Sequence, residues 1–503
     1  MTALATSAGN ACALLFDVRD RGRHPAVVDG GATTSYEQLV ARALAFAGAL
    51  SDAGISTGDR VAIWLPRTAD WAAAFFGTLA CGAVAVPVND LLRPRQVEHV
   101  LRHSGASVLV SAPALHESAP RPIESDAAVL DPADVPAQGS FVPVPRTAGD
   151  VAQIVYTSGS TGPPKGITVS HANIRAGTES VVSYLGIEPG DRLASLLPFS
   201  FDYGQSQMLC AVARGATLLI ERSPIAARIV QGLRRREVTV AACVPPLWLQ
   251  LLGVDAFGEA IPSLRLMTNT GGRLPEPAVR RLRAAQPQAD LVLMYGLTEA
   301  FRSTYLPPDR VDRKPTSIGR AIPGAEIAIV DSAGARCEPG EVGQLVHRGP
   351  TVALGYWDDE DATARVFRPN PLRPPGTPGS ERVVYSGDLV CADEEGDLHF
   401  VGRADTMIKT LGYRVSPDEV AEVLHASGEV TEAVVTSEPD DLRGESIVAH
   451  VVLAEGGDAD RLERFVAGEL PRYMQPARIE VHAELGRTPS GKHDPGSFAR
   501  TES

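Results

Sequence analysis

A glycine- and hydroxyl-rich loop constrains the fold and chemistry of this sequence more than any other segment. Residues 156–166 read YTSGSTGPPKG and follow the apolar run 151–155, which predicts a strand. Glycines let a backbone approach an anion closely, so that N–H groups, hydroxyls and one ammonium can surround a polyphosphate. The spacing matches neither the Walker pattern nor the G-x-G-x-x-G dinucleotide fingerprint. The loop therefore indicates nucleoside triphosphate binding by another motif, and residues 170–173 are expected to open a helix after it.

Length and composition limit the classes to which the chain can belong. It has 503 residues, too many for one ordinary hydrophobic core, so more than one folded unit is expected. The formal net charge of −14 argues against nucleic-acid binding, because phosphate backbones select basic surfaces. No apolar run approaches the ~20 residues that cross a bilayer. The cysteines are widely spaced, which favours free thiols over disulfides. We therefore expect a cytoplasmic protein with no nucleic-acid and no membrane partner.

The first 400 residues predict a parallel α/β architecture, because short apolar runs alternate with amphipathic stretches. Strands are expected at residues 61–65, 216–221, 238–244, 264–269 and 291–295. Helices are expected at residues 70–79, 225–236 and 276–285. The proline-rich residues 115–148 predict a surface connection, and residues 368–380 predict a loop.

The pattern of apolar residues changes near residue 400. The remaining ~100 residues are typical of a small α+β domain. Helices are expected at 417–426 and 458–469, and strands at 432–437, 447–453 and 478–482. The predicted fold class is therefore α/β, with a large N-terminal domain of stacked α/β subdomains and a small α+β C-terminal domain.

Further motifs follow the loop in a fixed order. They read YGLTE at 295–299, YSGD at 385–388, GRAD at 402–405, KTLGYR at 409–414 and TPSGK at 488–492. Together with the loop they resemble the signatures of the AMP-forming acyl-adenylating enzymes, a superfamily of acyl-CoA synthetases, peptide-synthetase adenylation domains and luciferases. The resemblance covers about residues 25–494. The wording YGLTEAFRSTYLPP at 295–308 is similar to bacterial stand-alone acyl-CoA ligases associated with exosortase gene clusters.

The resemblance implies a reaction and a division of the chain. A carboxylate attacks the α-phosphorus of ATP to give an acyl-adenylate and pyrophosphate, and a nucleophile then captures the acyl group and releases AMP. Residues 1–402 would form the N-terminal domain that binds ATP and the acid. Residues 403–408 would form the hinge, with Asp405 at the family's hinge position, and 409–503 a mobile C-terminal domain that carries the catalytic lysine.

The resemblance also assigns the ATP site. The phosphate-binding residues would be Thr157, Ser158, Gly159, Ser160, Thr161, Gly162 and Lys165. The rest of the nucleotide would contact Gly271, Gly272, Arg273, Tyr295, Gly296, Asp388 and Arg403. Asp388, in a Gly-Asp turn, is placed to accept hydrogen bonds from both ribose hydroxyls. Thr298 and Glu299 follow a predicted strand end, and Mg²⁺, which prefers oxygen ligands, would be held by Glu299 and Thr161.

Two lysines would act in turn as the small domain rotates. Lys492 would reach the active site during adenylation and balance charge between the carboxylate and the α-phosphate. Lys409, with Gly412, would line the acceptor tunnel during acyl transfer. The chain departs from the family around Lys492, since Leu485-Gly486 stands where Leu-Pro is usual and His493-Asp494 follows the lysine.

The sequence also predicts a pocket for the acid. Its expected lining is Phe201, Asp202, Tyr203, Trp248, Thr270, Met294 and Arg302. Amino-acid-activating relatives carry Phe-Asp at the position of Phe201-Asp202, and their aspartate pairs with the substrate ammonium. Asp202 would either recognise an amine in this way or cap the following helix. Arg302 would face a second substrate carboxylate or pair with Asp202.

The expected acceptor is coenzyme A, which makes the chain an AMP-forming acid–thiol ligase that uses ATP and Mg²⁺. One alternative is the phosphopantetheine thiol of a separate carrier protein, and another is a free amine. A non-catalytic nucleotide sensor or scaffold would be expected to lack Lys492, Glu299 or Asp388, and the sequence retains all three.

Overall fold

The computed structural model describes residues 9–487, except 19–20, 120, 158–163, 375, 379–380, 405–406, 411–412, 441–443 and 471, together with residue 493. The helices are Ala13–Phe16 (α1), Tyr36–Asp52 (α2), Ala69–Ala80 (α3), Pro94–Ser104 (α4), Pro113–Ser118 (α5), His171–Leu185 (α6), Asp202–Arg214 (α7), Ala226–Arg235 (α8), Pro245–Leu252 (α9), Glu276–Ala285 (α10), Pro308–Val311 (α11), Glu360–Val366 (α12), Pro417–Ala426 (α13) and Ala459–Glu469 (α14).

The strands follow in chain order. The first thirteen are Pro25–Asp29 (β1), Ala32–Ser35 (β2), Arg60–Trp64 (β3), Val84–Val88 (β4), Ala106–Ser111 (β5), Ala128–Leu130 (β6), Val151–Thr157 (β7), Lys165–Ser170 (β8), Arg192–Ser195 (β9), Thr217–Ile220 (β10), Val240–Cys243 (β11), Leu266–Asn269 (β12) and Asp290–Tyr295 (β13). The others are Thr304–Leu306 (β14), Ser317–Ala321 (β15), Glu326–Val330 (β16), Gly343–Arg348 (β17), Gly355–Tyr356 (β18), Phe367–Pro369 (β19), Arg382–Ala392 (β20), Leu398–Arg403 (β21), Ile408–Thr410 (β22), Tyr413–Val415 (β23), Val430–Asp440 (β24), Gly444–Leu453 (β25) and Arg478–Val481 (β26).

A seven-stranded sheet carries the glycine-rich loop. Its order is β18-β8-β7-β4-β3-β5-β6, and the strands from β7 to β6 run parallel. The loop connects β7 to the antiparallel β8, and the register pairs Thr157 with Lys165 at its base. The sequence predicted the strand before the loop but not β8 after it. The helix expected at 170–173 is confirmed as α6, which Ser170 and Asn173 begin with a reciprocal capping box.

A second sheet of fourteen strands combines parallel and antiparallel pairing. The parallel part runs β1-β10-β9-β11-β12-β13, as the alternation of strands and helices predicts. From β13 onward the neighbours β14, β15, β21, β20, β17 and β16 pair antiparallel. The expectation of parallel α/β structure up to residue 400 is therefore wrong for this second half, where short hairpin connections replace crossover helices.

Buried helices between the two large sheets hold them together. Helix α3 is almost wholly apolar, begins at the Thr68 cap, and buries Trp71, Phe75 and Phe76 completely. It packs along α2, which a capping box at Ser35 begins. Among the described residues, no helix is both long enough and apolar enough to cross a membrane.

The last part of the chain forms a separate five-stranded sheet with its own core. The order is β23-β22-β25-β24, with β26 beside β25, and α13 and α14 pack on it. Helices α13 and α14 and strands β24 to β26 confirm the elements expected after residue 415. Helix α13 contacts α10 and β21 of the large part, and Arg273 forms an ion pair with Glu422 at 2.6 Å. Residues 405–406 lie outside the described residues, so the hinge at 403–408 stays a prediction.

Gly319 provides a test of how the antiparallel half is built. Its φ is +79°, and a Cβ there would lie 1.9 Å from the carbonyl oxygen of Tyr305 on the neighbouring strand. We expect Gly319→Ala to lower the free energy of unfolding by about 3 kcal/mol or more, because backbone must move as well as adopt a left-handed conformation. Urea denaturation followed by circular dichroism measures the loss.

Gly186→Ala is the matched control for this substitution. Gly186 also has a positive φ, +58°, but nothing lies within 4 Å of a Cβ added there. Its cost is expected to be about 1 kcal/mol, the conformational term alone. Equal losses in the two variants would contradict the contact assigned to Tyr305.

Candidate functional site

The end of β13 places the first polar group of the site. The Tyr295 hydroxyl, at the last residue of the strand, donates a hydrogen bond to Asp388 Oδ2 on β20. Asp388 is only 7% exposed, its backbone N–H donates to Ser386 Oγ at 3.0 Å, and Arg403 Nη1 lies 3.3 Å from its other oxygen. Burial, and then the negative charge of Asp388, raises the pKa of Tyr295. The phenol therefore stays a donor that fixes the carboxylate.

The turn after β13 carries Thr298 and Glu299 in a short 3₁₀ segment, Thr298–Ala300. Thr298 Oγ1 donates to Asp202 Oδ2 at 2.8 Å. Asp202 is the first residue of α7, and Phe201, which precedes it, makes no side-chain cap. The interpretation of Asp202 as the cap of α7 is therefore wrong: its carboxylate points to the β13 turn.

Glu299 connects this turn to the glycine-rich loop. Tyr356, on β18, donates its hydroxyl to Glu299 Oε1 at 2.6 Å, and the ring of Tyr356 lies 5.5 Å from Lys165 Nζ. Lys165 Nζ is also 3.6 Å from Asp359 Oδ2. The ammonium at the base of the loop and the carboxylate of the turn thus both contact Tyr356. Sequence reasoning missed Tyr356, which stands in no recognised motif.

The end of β12 forms another side of the site. Gly271 has a φ of +81°, and a Cβ there would contact Val244 and the Phe201 ring. The Asn269 amide donates to the Gly272 carbonyl at 3.2 Å, which holds this turn. The Arg273 guanidinium forms an ion pair with Glu422 of the C-terminal domain, and its expected contact with the nucleotide stays a prediction.

Arg302 lies inside the protein beside the predicted acid pocket. The residue is 2% exposed, and its guanidinium stacks over the Tyr203 ring at 4.8 Å. Its Nη1 donates to the carbonyl of Phe301, whereas Nε and Nη2 have no hydrogen-bond partner among the described residues. It forms no ion pair with Asp202 or with any other residue in the described part of the chain. The expected pairing with Asp202 is therefore wrong.

Phe301 holds Arg302 in this position through an unusual backbone. Its φ is +63°, a conformation that a bulky residue rarely adopts. The ring covers Gly177 on α6, where an added Cβ would come within 2.6 Å of it. The strain indicates that surrounding packing, rather than local preference, directs the guanidinium inward.

The remaining residues around Arg302 are mostly apolar. A cavity of about 20 Å³, room for roughly one water molecule, lies between α6, α7 and the sheet. The Tyr203 hydroxyl shares a hydrogen bond of 2.6 Å with Thr268 Oγ1, and Trp248 Nε1 donates to the Thr268 carbonyl at 3.2 Å. The residues that line the cavity include Tyr203, Ser206, Gln207, Thr268, Met294 and Arg302. Trp248 and Thr270 are buried nearby, and the Tyr184 hydroxyl contacts Met294 Sδ at 2.9 Å.

Gly296 lies in the turn after β13, close to the backbone of Arg302. A Cβ on Gly296 would lie 2.9 Å from the Arg302 Cα, so the β13 turn can pass this backbone only as glycine. Several predicted residues lie outside the described part of the chain: Ser158, Gly159, Ser160, Thr161, Gly162, Asp405, Gly412 and Lys492. Lys409 is on β22, opposite Arg414 in the register.

Two described residues, Arg487 and His493, flank Lys492 in the sequence. They form an antiparallel β-bridge with each other. Arg487 Nη2 donates to Glu432 Oε1 on β24 at 2.7 Å, and His493 Nδ1 lies 3.8 Å from the other oxygen of Glu432. Arg487 and the unusual His493 thus contact the same carboxylate, that of Glu432.

Comparison with known proteins agrees with this arrangement. A profile of the AMP-binding enzyme family matches residues 16–357, and one of the AMP-binding enzyme C-terminal domain matches 419–492. The chain is 31% identical to the L-proline–[L-prolyl-carrier protein] ligase of Pseudomonas fluorescens, over 95% of this chain and 96% of that protein.

Two solved structures are similar over nearly their whole length. ATP-bound MatB from Rhodopseudomonas palustris superposes with a TM-score of 0.86 at 26% identity and covers 97% of this chain and 98% of MatB. The anthranilate CoA ligase AuaEII, in complex with anthranoyl-AMP, gives a TM-score of 0.86 at 25% identity, covering 96% of this chain and 95% of that one.

A large α/β part with a small C-terminal domain, together with the two family profiles, defines an AMP-forming enzyme that adenylates acids. The chain belongs to the AMP-binding enzyme family. Its relatives include acid–thiol ligases.

His347 beneath the site gives a pH-dependent prediction. It is fully buried, its ring nitrogens lie 2.9 Å from Ser303 Oγ and Thr351 Oγ1, and burial lowers its pKa from 6.5 to about 4. Between these values the unfolded chain binds a proton that the folded one does not. Stability is therefore expected to fall as the pH drops from 6.5 to 4, by up to ~1.4 kcal/mol per pH unit for this group.

The His347→Gln variant checks this contribution, because an amide does not titrate. Its urea midpoint should vary less steeply with pH than that of the native protein between pH 6.5 and 4, and in parallel with it above pH 7. Parallel curves over the whole range would show that His347 is not the titrating group.

Proposed function

We propose that this chain activates a carboxylic acid as its acyl-adenylate and transfers the acyl group to the thiol of a phosphopantetheine, carried by coenzyme A or a carrier protein. One observation carries the proposal. In the turn 295–299, Tyr295 donates a hydrogen bond to Asp388 and Thr298 donates one to Asp202. Glu299 accepts a hydrogen bond from Tyr356. Ribose, acid and phosphate groups would therefore meet at the carboxyl end of one strand, the usual ligand position in an open α/β sheet.

In the first half-reaction a carboxylate oxygen bonds to the α-phosphorus while the bond from that phosphorus to pyrophosphate breaks. Asp388 accepts hydrogen bonds from both ribose hydroxyls, and this keeps the α-phosphorus at a fixed distance from the turn. Lys165 and Thr157 meet the leaving pyrophosphate from the base of the loop, with Ser158, Ser160 and Thr161. Donors placed where charge develops stabilise the transition state more than the ground state. Lys492 balances the charge at the α-phosphorus in the same way.

The chemistry of Glu299 fits a magnesium ion that accompanies ATP. Its carboxylate is partly exposed, is oriented by Tyr356, and forms no ion pair with any described residue. Mg²⁺ is usually bound by one or two carboxylates together with substrate phosphates. Glu299 would hold the ion, with Thr161, and the ion would neutralise phosphate charge.

In the second half-reaction a thiolate attacks the acyl carbon and AMP leaves with its bonding electron pair. The small domain rotates about Asp405, so that Lys409 and Gly412 replace Lys492 beside the acyl group. The contact between Arg273 and Glu422 supports one defined arrangement of the two domains. It would break during this rotation.

Arg302 supports a narrower class of acid. A guanidinium that is almost fully buried without an anionic partner is costly, because burial removes its hydration. Arg302 lines the cavity together with Tyr203, Thr268 and Met294, and its Nε and Nη2 have no hydrogen-bond partner among the described residues. We infer that the acid carries a second anionic group, a carboxylate in the simplest case, which these two nitrogens bind as a fork once the cavity, about 20 Å³ in this structure, opens to admit it.

Asp202 supports an additional amine on the same acid. Its carboxylate accepts a hydrogen bond from Thr298 in the turn after β13, whereas Arg302 is buried and lines the cavity. An ammonium next to the reacting carboxylate would bind Asp202. The P. fluorescens relative, whose name gives proline as its acid, favours the amino-acid alternative and a carrier-protein acceptor.

The proposed acceptor of the acyl group is a phosphopantetheine thiol, which both coenzyme A and carrier proteins present. The CoA ligase AuaEII and the carrier-protein ligase of P. fluorescens are each similar over nearly the whole chain. Coenzyme A is the expected acceptor, and the carrier protein and the free amine are the alternatives. The proposed location is the cytoplasm, where ATP and coenzyme A are available.

Removing Lys492 tests the two half-reactions. Lys492→Ala should slow ATP–pyrophosphate exchange by ~100-fold or more, because a positive charge at the developing phosphoryl centre is lost. Lys409→Ala is the matched control: exchange should continue, while thioester formation slows. Near-normal exchange in the Lys492 variant, or an equal loss of both steps in the Lys409 variant, would contradict the alternation of the two lysines.

The acid class is tested by pyrophosphate exchange with paired acids that differ by one group. Native protein should prefer a dicarboxylic acid to its monocarboxylic analogue, and an amino dicarboxylic acid more still if Asp202 binds an amine. Arg302→Met should lower kcat/KM for the dicarboxylic acid by about 10- to 100-fold, the effect of a charged hydrogen bond, and leave the monocarboxylic acid nearly unchanged.

Arg302→Lys and Asp202→Asn serve as controls in the same assay. The lysine keeps the charge without the fork and should retain part of the preference. Asp202→Asn should affect only acids that carry an amine. If Arg302→Met lowers kcat/KM equally for all acids, Arg302 is structural and the second anionic group is excluded.

A further inference from the structure

Two histidines and a glutamate converge on the sheet of the C-terminal domain. His450 on β25 and Glu480 on β26 are partners in the parallel register, and His482 follows β26 directly. The backbone N–H of His482 donates to the Val451 carbonyl at 2.8 Å, which extends the pairing past the strand. All three residues therefore project from adjacent positions of a hydrogen-bonded sheet rather than from a loop.

The three potential ligand atoms form a small triangle. His450 Nδ1 lies 3.2 Å from His482 Nε2 and 3.4 Å from Glu480 Oε2, and the remaining side, from His482 Nε2 to Glu480 Oε2, is 3.8 Å. A tetrahedral zinc ion with bonds of about 2.0–2.1 Å keeps its ligands about 3.3–3.4 Å apart. The triangle thus has the size of one face of such a site before any side chain moves.

Neighbouring groups already orient the ligands as metal sites require. His450 Nε2 lies 3.0 Å from Thr436 Oγ1, so the hydroxyl can fix the ring that presents Nδ1. Arg478 Nε donates to Glu480 Oε1 at 2.6 Å and so leaves Oε2 directed at the histidines. A second shell of this kind normally sets ligand direction.

Charge and access are also suitable. Arg478 also donates to Glu438 at 2.7 Å, so two carboxylates offset its positive charge near the triangle. His450 is buried, whereas Glu480 and His482 are partly exposed, so an ion can enter from solvent and a water can occupy a fourth position. A direct N–H to N hydrogen bond between the imidazoles is the alternative, and it makes no use of Glu480.

We propose that the C-terminal domain binds one Zn²⁺ ion through His450 Nδ1, Glu480 Oε2 and His482 Nε2, with water as the fourth ligand. The ion ties β26 to β25, the two strands of the small domain that pair in parallel. Its role is structural. The proposal is independent of the adenylation chemistry, because its tests measure metal binding and domain stability.

The experiment uses the full-length protein stripped with a chelator and dialysed. Elemental analysis after addition of Zn²⁺ should give one bound equivalent, and Co²⁺ should produce the intense visible absorption of a tetrahedral site. His450→Ala, Glu480→Gln and His482→Ala should each lose both signals. Thr436→Val, which removes only the contact to His450 Nε2, should weaken binding about 10- to 100-fold.

His399→Ala is the matched control, because its imidazole pairs with Asp393 in the large domain, outside the triangle. It should bind Zn²⁺ and Co²⁺ like the native protein. The melting temperature of native protein should rise with Zn²⁺ and that of His482→Ala should not. Stoichiometric binding that persists in all three ligand variants, or no binding by native protein, would overturn the proposal.

Discussion

The site depends on the turn that leaves β13. Three side chains within Tyr295–Glu299 form hydrogen bonds with three different elements. Their partners are Asp388, Asp202 and Tyr356. Only a backbone that passes Arg302 closely at Gly296 allows these three contacts. The strained Phe301 that follows then turns the next residue inward. The geometry of the proposed ribose, phosphate and acid sites is thus set by one short segment, which the surrounding large domain supports.

Local sequence predicted much of this molecule. The helices at 276–285 and 417–426 coincide with α10 and α13 residue for residue, since periodicity and an initiating proline or polar cap act within a few residues. The strand ends before Gly271 and at Tyr295 stand where their motifs indicate, because polar residues after an apolar run mark a strand's carboxyl end. Asp388, expected in a Gly-Asp turn, instead lies within β20, next to Gly387, whose φ is +76°. Both signals are local, and the chain retains them without help from distant contacts.

What the sequence did not predict depends on contacts between distant segments. Strand β8 exists because its backbone pairs with β7 across the loop and with β18 almost two hundred residues later. Tyr356 and Glu422 meet Glu299 and Arg273 only after folding, and neither stands in a motif. Asp202 appeared able to cap α7 because a carboxylate at a helix start usually does so. Thr298, ninety-six residues away, determined its direction instead.

The same ion pair that joins the two domains also limits how firmly they are joined. Arg273 and Glu422 keep 23% and 27% of their side chains exposed, so the pair contributes on the order of 1 kcal/mol. A tighter, buried contact would oppose rotation of the small domain, because each separated charge would have to be desolvated again on return. A weak contact next to the glycine turn of β12 instead marks one arrangement without fixing it. The small domain, with its own core, can then leave this position as a unit, as the proposed alternation of Lys492 and Lys409 would require.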